Sequence, residues 1–352
     1  MKSLCILIGS ADISGGSLVI FEHALHLAEN GVDVTIVPYF PLSDIKCDWH
    51  RGLARLRFAT FEELAGRRFD IALATWWRTV YELPRIEASH YAYFVQSIES
   101  RFYSEDDAAL RRLVEGTYGF GLPAITEAKW IRAYLDTHFG TKAALVPNGC
   151  AKAIFHPNGP VVAPRERGRL RVLVEGPLGV DFKNVARTLR LLRASAADEI
   201  WLLTLTPLRR YPGVARVFSQ VPVAKTPDIY RSCDVLVKLS TVEGVFGPPL
   251  EMFHCGGTAI VWDVTGHDEY IVNGQNAIVI ETGDEAGVIA AVERLRSDRA
   301  MLRRLQANAL DTARMWPDWP RSSALFLRAL EAIYERPAEI TREQLQALAR
   351  EH

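Results

Sequence analysis

The strongest constraint on this chain is an alternation that runs through it twice: short apolar runs of strand length, each followed by a turn and a segment with helical spacing. The first instance is LCILIG (residues 4–9), then the glycine-bearing turn SADISGGS, then SLVIFEHALHLAEN and VDVTIV. In the helical segment Leu18, Phe21, Leu25 and Ala28 recur three and four apart, which places them on one face, and Gly31 follows as a stop. An unbroken apolar run fits a strand covered on both sides, as in a parallel sheet. Strand, helix and parallel strand close as a right-handed βαβ unit. Further units are predicted at FDIALAT, YAYFVQ, PAIT and AALVPNG, and the pattern restarts with LRVLVEG, EIWLLTLT, ARVFSQV, DVLVKLS, TAIVWDV and AIVIET. A chain of 352 residues exceeds one typical core. The expectation is therefore two α/β domains, 1–158 and 169–315. Between them NGPVVAPRERG (158–168) reads as a linker, and a helical tail, 316–352, opens on WPDWP and is expected to pack back on the first domain.

Composition excludes several classes. A net charge of −1 leaves no global basic footprint for nucleic acid. The arginines at 165, 167, 169 and 171 read as solvated surface. Cys5, Cys47, Cys150, Cys233 and Cys255 have no paired spacing, which points to neither a zinc site nor a disulfide framework. No stretch approaches the roughly twenty apolar residues of a membrane span. A cytoplasmic protein is expected, with room for peripheral contact at the inner face of the membrane.

Chemistry concentrates in TVEGVFGPPLEMFHCGG (241–257), after the run DVLVKLS. Seven residues separate Glu243 from Glu251, and Gly247, Pro248 and Pro249 between them forbid one continuous helix through both. Proline is tolerated at a helix start, so Glu243 is expected in a loop leaving a strand and Glu251 in the first turn of the next helix. Ligands of open α/β sheets bind outside the carboxyl ends of the strands. The competing reading is a helix start decorated with acids that complement its dipole. Gly15 and Gly16 present amides where a phosphate can sit, or form a tight turn and nothing more; they do not match the dinucleotide fingerprint. With Lys183 they favour a phosphorylated ligand, and a loop carboxylate accepts from vicinal hydroxyls. Phosphate and polyol together describe a nucleotide sugar. No Asp-x-Asp pair occurs in the sequence, so no metal and no cofactor are expected, and leaving-group charge falls to Lys183, amides and a helix dipole. Trp76 and Trp77, past FDIALAT, are candidates for stacking an acceptor sugar, core packing of one of them being the alternative.

These strings resemble family 4 glycosyltransferases, retaining enzymes of the GT-B fold. EGVFGPPLEMFHCGG is similar to that family's Glu, seven residues, Glu pattern; GHDEYIVNGQNAIVI to its Asn-Gly-x-Asn-Ala run; VPNGCAKAIFHP to its Pro-Asn-Gly junction; and FKN to its diphosphate-binding lysine element. AITEAKWIRAYL resembles the family's Ser-Glu helix. The resemblance implies that Glu243 bonds the transferred sugar with Phe246 and Gly247 offering backbone contacts, that Glu251 holds the ribose, that Lys183 neutralises the diphosphate, and that Gly16 approaches it. It implies attack by the acceptor on the face the nucleotide leaves, with retention. YFVQSIESRFYS and PPLEM are closer to the rhamnosyltransferase branch, where Gln96 would suit a 6-deoxy sugar.

The departures are specific. The family's arginine, six residues before the lysine, is Pro177 here, so half of the usual diphosphate clamp is missing. Pro248 and Pro249 remove two amide donors, and the glycine of the usual Gly-Phe-Gly order is displaced by one residue. The expected function is metal-independent transfer of a sugar from a dTDP-, UDP- or GDP-linked donor to a glycan, lipid-linked or small-molecule acceptor. The alternative is a non-catalytic GT-B scaffold that binds a sugar nucleotide or a partner.

Overall fold

The computed structural model describes residues 1–41 and 49–351; Cys47 lies outside them. Two compact units divide the chain, Met1–Gly149 with Pro317–His352, and Cys150–Trp316. Each is built on one all-parallel sheet, and together the two α/β units make the GT-B fold.

The strands of the first unit are β1 (Ser3–Ile8), β2 (Asp33–Pro38), β3 (Arg57–Phe58), β4 (Arg68–Ala74), β5 (Glu87–Val95), β6 (Ala124–Thr126) and β7 (Ala144–Leu145), in the order β3-β2-β1-β4-β5-β6-β7. Leu4, Cys5, Leu7, Ile36, Val37, Ile71, Ala72 and Leu73 are wholly or almost wholly inaccessible, as an interior parallel sheet with both faces covered requires. The order of successive strands across the sheet reverses between β1 and β4, so the first switch point holds the turn that opens the helix Gly15–Glu29. The helix Trp319–Tyr334 packs on that helix. Their contact is organised by His23, whose ring stacks on Phe326 with centroids 4.3 Å apart and whose Nδ1 lies 2.9 Å from Ser323 Oγ. Burial drives the His23 pKa down to about 3, with His26 adding to the effect, so the ring is neutral.

The second unit contains β8 (Arg171–Glu175), β9 (Glu199–Thr204), β10 (Arg216–Ser219), β11 (Val235–Lys238), β12 (Thr258–Trp262) and β13 (Ile278–Ile280), in the order β10-β9-β8-β11-β12-β13. Two apolar clusters cover its faces, one around Phe246, Phe253 and Trp201, the other around Val174, Val237, Val288 and Trp262. Its switch point lies between β8 and β11.

Residues 158–168, whose composition reads as a linker, are fastened to this second unit, and the division falls earlier, between Gly149 and Cys150. Arg165 donates from Nη1 to the Gly256 carbonyl at 2.7 Å and from Nη2 to that of Cys255 at 3.2 Å. These carbonyls follow the helix Gly247–His254 and have no partner within it, and a guanidinium there satisfies them and complements the helix dipole. Arg231 donates to the Pro160 carbonyl at 2.8 Å, and the Ser232 hydroxyl accepts from the Val162 amide at 2.9 Å. Arg171, expected on the surface, is buried: its Nε donates to Glu199 at 2.8 Å and its guanidinium lies over the Trp201 ring.

Candidate functional site

At the second switch point, β8 ends at Glu175 and runs through Gly176 and Pro177 to a short turn, Asp181–Lys183. Gly176 has φ +137°, a conformation that side chains resist. Asn184 follows in the left-handed region, φ 51°, with its side-chain amide donating to the Leu239 carbonyl at 3.0 Å. The Thr241 amide donates to the Phe182 carbonyl at 2.8 Å. These two bonds fix the loop after β8 against the loop after β11 and so set Lys183 beside Glu243. The Lys183 ammonium reaches both carboxylate oxygens, at 2.8 and 2.9 Å. Glu243 is only 7% exposed at its side chain, whereas Lys183 keeps 23%. A buried carboxylate needs such a partner.

Glu251 lies on the helix Gly247–His254. The helix begins ahead of Pro248 and Pro249, because first-turn positions need no amide donor; this places Glu251 in the second turn, one turn later than expected. It is half-buried. Burial pushes its carboxyl up to about 7; a hydrogen bond from the Tyr230 hydroxyl works against the rise, nearby Glu175 adds to it, and Lys238 opposes it. Phe246 is fully buried and its carbonyl accepts from the Tyr270 hydroxyl. The Gly247 amide donates to the Val245 carbonyl at 2.9 Å. Both groups expected to offer backbone contacts therefore have partners within the second unit, Phe246 from Tyr270 and Gly247 from Val245.

Two residues of this cluster, Lys238 and Tyr230, are not evident in the sequence. Lys238, 2% exposed, donates to Glu175 Oε2 at 2.6 Å and to the Glu175 carbonyl at 3.2 Å. Tyr230 is buried beside Glu251. The signal for Lys238 was present: one charged residue interrupts the apolar run DVLVKLS, and LRVLVEG ends on an acid. Asn276, in the run NGQNA, is a structural device. Its side chain accepts from the Val272 amide at 2.8 Å and donates to the Tyr270 carbonyl at 2.8 Å and to Thr312 at 3.0 Å.

The first unit brings together a different set. Ser14 caps the helix Gly15–Glu29 by accepting from the Ser17 amide at 3.0 Å. A Cβ on Gly16 would stand 3.3 Å from Gln96 Oε1, and Gln96 Nε2 donates to the Gly16 carbonyl at 3.3 Å. At Gly15 a Cβ would meet open space. Trp76 is half-buried against Gly9, flanked by Tyr39 at 5.6 Å and Phe40 at 5.9 Å, with the Arg78 guanidinium over its ring. Trp77 is different: it is buried, its amide donates to Glu99 at 2.8 Å and its ring nitrogen to Tyr103 at 3.0 Å. Burial raises the Glu99 carboxyl to about 8, although the Trp77 amide and the Tyr93 hydroxyl both hydrogen-bond to it. Of the tryptophan pair, Trp76 is half-buried and Trp77 is buried.

No group of three or more His, Cys, Asp or Glu side chains is arranged to hold a metal ion among the described residues. None of the helices among them is long and apolar enough to cross a membrane.

Comparison with known proteins places this geometry. Residues 210–312 match the model of the family described as glycosyl transferases group 1. The chain is 27% identical over 254 residues to the O-antigen biosynthesis protein RfbC of Myxococcus xanthus, covering 69% of this chain but only 19% of that protein. Its fold is similar to that of the sucrose-phosphate synthase of Thermosynechococcus elongatus, with a TM-score of 0.77 at 15% identity over 95% of this chain and 99% of the other. It is similar as well to Anabaena HepE, solved in complex with UDP-glucose, with a TM-score of 0.73 at 12% identity over 94% and 100% of the two chains. Residues 210–312, with Glu243 and Glu251 inside them, are thus similar to the group 1 glycosyltransferases, and the two parallel sheets share the GT-B fold of the solved structures.

Proposed function

We propose that the chain transfers a sugar from a nucleotide-diphosphate donor to an acceptor hydroxyl, with retention and without a metal ion. The observation that carries this reading is the Lys183–Glu243 ion pair at the β8/β11 switch point. A diphosphate draws Lys183 away from Glu243, which frees the carboxylate to accept from the sugar's hydroxyls. Arrival of the donor thus converts a resting ion pair into two ligand contacts. Glu251 accepts from the ribose. In the chemical step the bond between the anomeric carbon and the phosphate oxygen breaks as the acceptor oxygen bonds to that carbon on the same face. The acceptor's proton passes to the departing phosphate oxygen, and Lys183 carries the charge that develops there. No protein nucleophile is required.

Donor roles for Gly15, Gly16, Phe246, Gly247 and Gln96 rest on the family resemblance. Trp76, half-buried where Trp77 is buried, is the better acceptor contact of the two tryptophans. The acceptor is a glycan or a lipid-linked sugar, in keeping with the O-antigen relative, and work at the inner face of a membrane from the cytoplasmic side suits such a substrate. A dTDP-linked 6-deoxy sugar is the first donor to try, with UDP- and GDP-sugars beside it, since HepE is a UDP-glucose complex. The scaffold reading draws on Pro177 and on the internally bonded Phe246 and Gly247.

The test is donor turnover measured across dTDP-, UDP- and GDP-sugars, with and without a lipid-linked saccharide acceptor. Transfer from one donor class, abolished in Glu243→Ala, is expected. Donor binding without turnover in any combination would favour the scaffold, and absence of donor binding would remove both readings.

A further inference from the structure

The diphosphate clamp has an arginine missing at Pro177, yet the same strand ends hold a second lysine. Lys238 is the last residue of β11 and stands beside the end of β8, the strand from which the missing arginine would project. Its Nζ lies 3.7 Å from the point a Cβ on Gly176 would occupy, and Lys183 Cβ lies 3.8 Å from that same point. The two lysines thus converge on one glycine, the residue immediately before Pro177. Lys238 donates two hydrogen bonds, both to Glu175, and its third proton has no acceptor among the described residues. Burial favours the neutral amine, but Glu175, Glu243 and Glu251 together outweigh it and hold the Lys238 pKa above the usual lysine value. An ammonium ion in a nearly inaccessible position is costly unless its charge is used, and only Glu175 among the three acids is hydrogen-bonded to it.

We infer that Lys238 is the second cation of the diphosphate site, supplying from β11 the positive charge that Pro177 removes from the β8 loop. This rests on the proposed nucleotide-diphosphate donor. The arrangement moves the second charge from a flexible loop side chain to the end of a central strand. Glu175 then acts as a positioning residue that holds the ammonium in place until phosphate arrives.

The experiment is isothermal titration of the full chain with UDP, dTDP and GDP, and then with the monophosphate of whichever nucleoside diphosphate binds most tightly. Lys238→Met is expected to weaken the diphosphate about 10- to 100-fold, as loss of a charge-assisted hydrogen bond does. It should change the monophosphate less than about threefold, because the contact is to the outer phosphate. A purely structural lysine would lower the melting temperature while leaving the ratio between the two nucleotides unchanged, and that result would overturn the inference. Should Lys238→Met fail to fold, the pair Glu175→Gln and Glu175→Gln/Lys238→Gln isolates the same charge with hydrogen bonding retained. Lys183→Met serves as the reference. If it weakens the diphosphate and no Lys238 variant does, only this inference falls; if the unmodified chain binds none of the three diphosphates, the donor reading falls and takes the inference with it.

Discussion

The two switch points have the same architecture and opposite chemistry. At β8/β11 the strand ends present two lysines and three acids, paired as Lys183–Glu243 and Lys238–Glu175 with Glu251 alongside. At β1/β4 and the neighbouring β2 and β5 the strand ends carry a glycine turn, the amide of Gln96 and the aromatic group Tyr39, Phe40 and Trp76. Even the buried acid of the first unit, Glu99, is met by an amide and a hydroxyl and not by a cation. One fold, used twice, thus carries buried ion pairs at one switch point and an amide and aromatic rings at the other. A fold of this kind fixes where a ligand binds, and the residues at the strand ends decide which.

That contrast can be broken most directly at Glu243. Glu243→Gln keeps shape and removes charge, and is expected to lower sugar transfer by about 100-fold or more. Its melting temperature should move little, because Gln still accepts from Lys183. An unaltered rate would mean that the charged switch point is not where the reaction happens. The neutral switch point is probed by packing. Gly16→Val drives a side chain into Gln96 and should cost about 1–2 kcal/mol of stability by overpacking. The cost should largely vanish in Gln96→Ala, as coupled neighbours require; equal costs in both backgrounds, measured by urea unfolding, would show that the close approach does not constrain this turn. The smallest effect concerns Glu251. Its carboxyl is raised to about 7 in the folded chain, so the folded state binds more protons than the unfolded one between about pH 4.5 and 7. Stability is therefore lost as pH rises through that window. Glu251→Gln, permanently neutral, should gain melting temperature over the parent chain at pH 8 and lose that advantage at pH 5. A gain independent of pH would place the cause elsewhere.

Much of this was readable beforehand. The strand runs are legible because a parallel sheet covered on both faces needs unbroken apolar segments, and LCILIG, FDIALAT, LRVLVEG and TAIVWDV supply them. The Lys183–Glu243 meeting was not readable from spacing, since it depends on the Thr241–Phe182 and Asn184–Leu239 bonds between loops far apart in sequence. Lys238 was hidden for a related reason: a lone charge in an apolar run reads as a flaw in the strand until the neighbouring strand is known to end in Glu175. The places of Arg165 and Arg171 are not legible in composition, which reports how many arginines a segment has and not which carbonyls await them. The tryptophans separated only when the Glu99 and Tyr103 partners of Trp77 were visible.

The His23 contact bears on how the molecule is made. His23 meets Ser323, 300 residues later in the chain, and Phe326 just beyond it. During synthesis residues 15–29 emerge well before their cover, and that helix face stays open until residues 319–334 have left the ribosome. The continuous second unit, begun later, has all its strands available sooner. Domains tend to fold as their sequence becomes complete, so the first unit is expected to close after the second. A nascent chain stalled before Trp319 would expose the apolar side of the helix Gly15–Glu29, an invitation to chaperones that the finished protein withdraws.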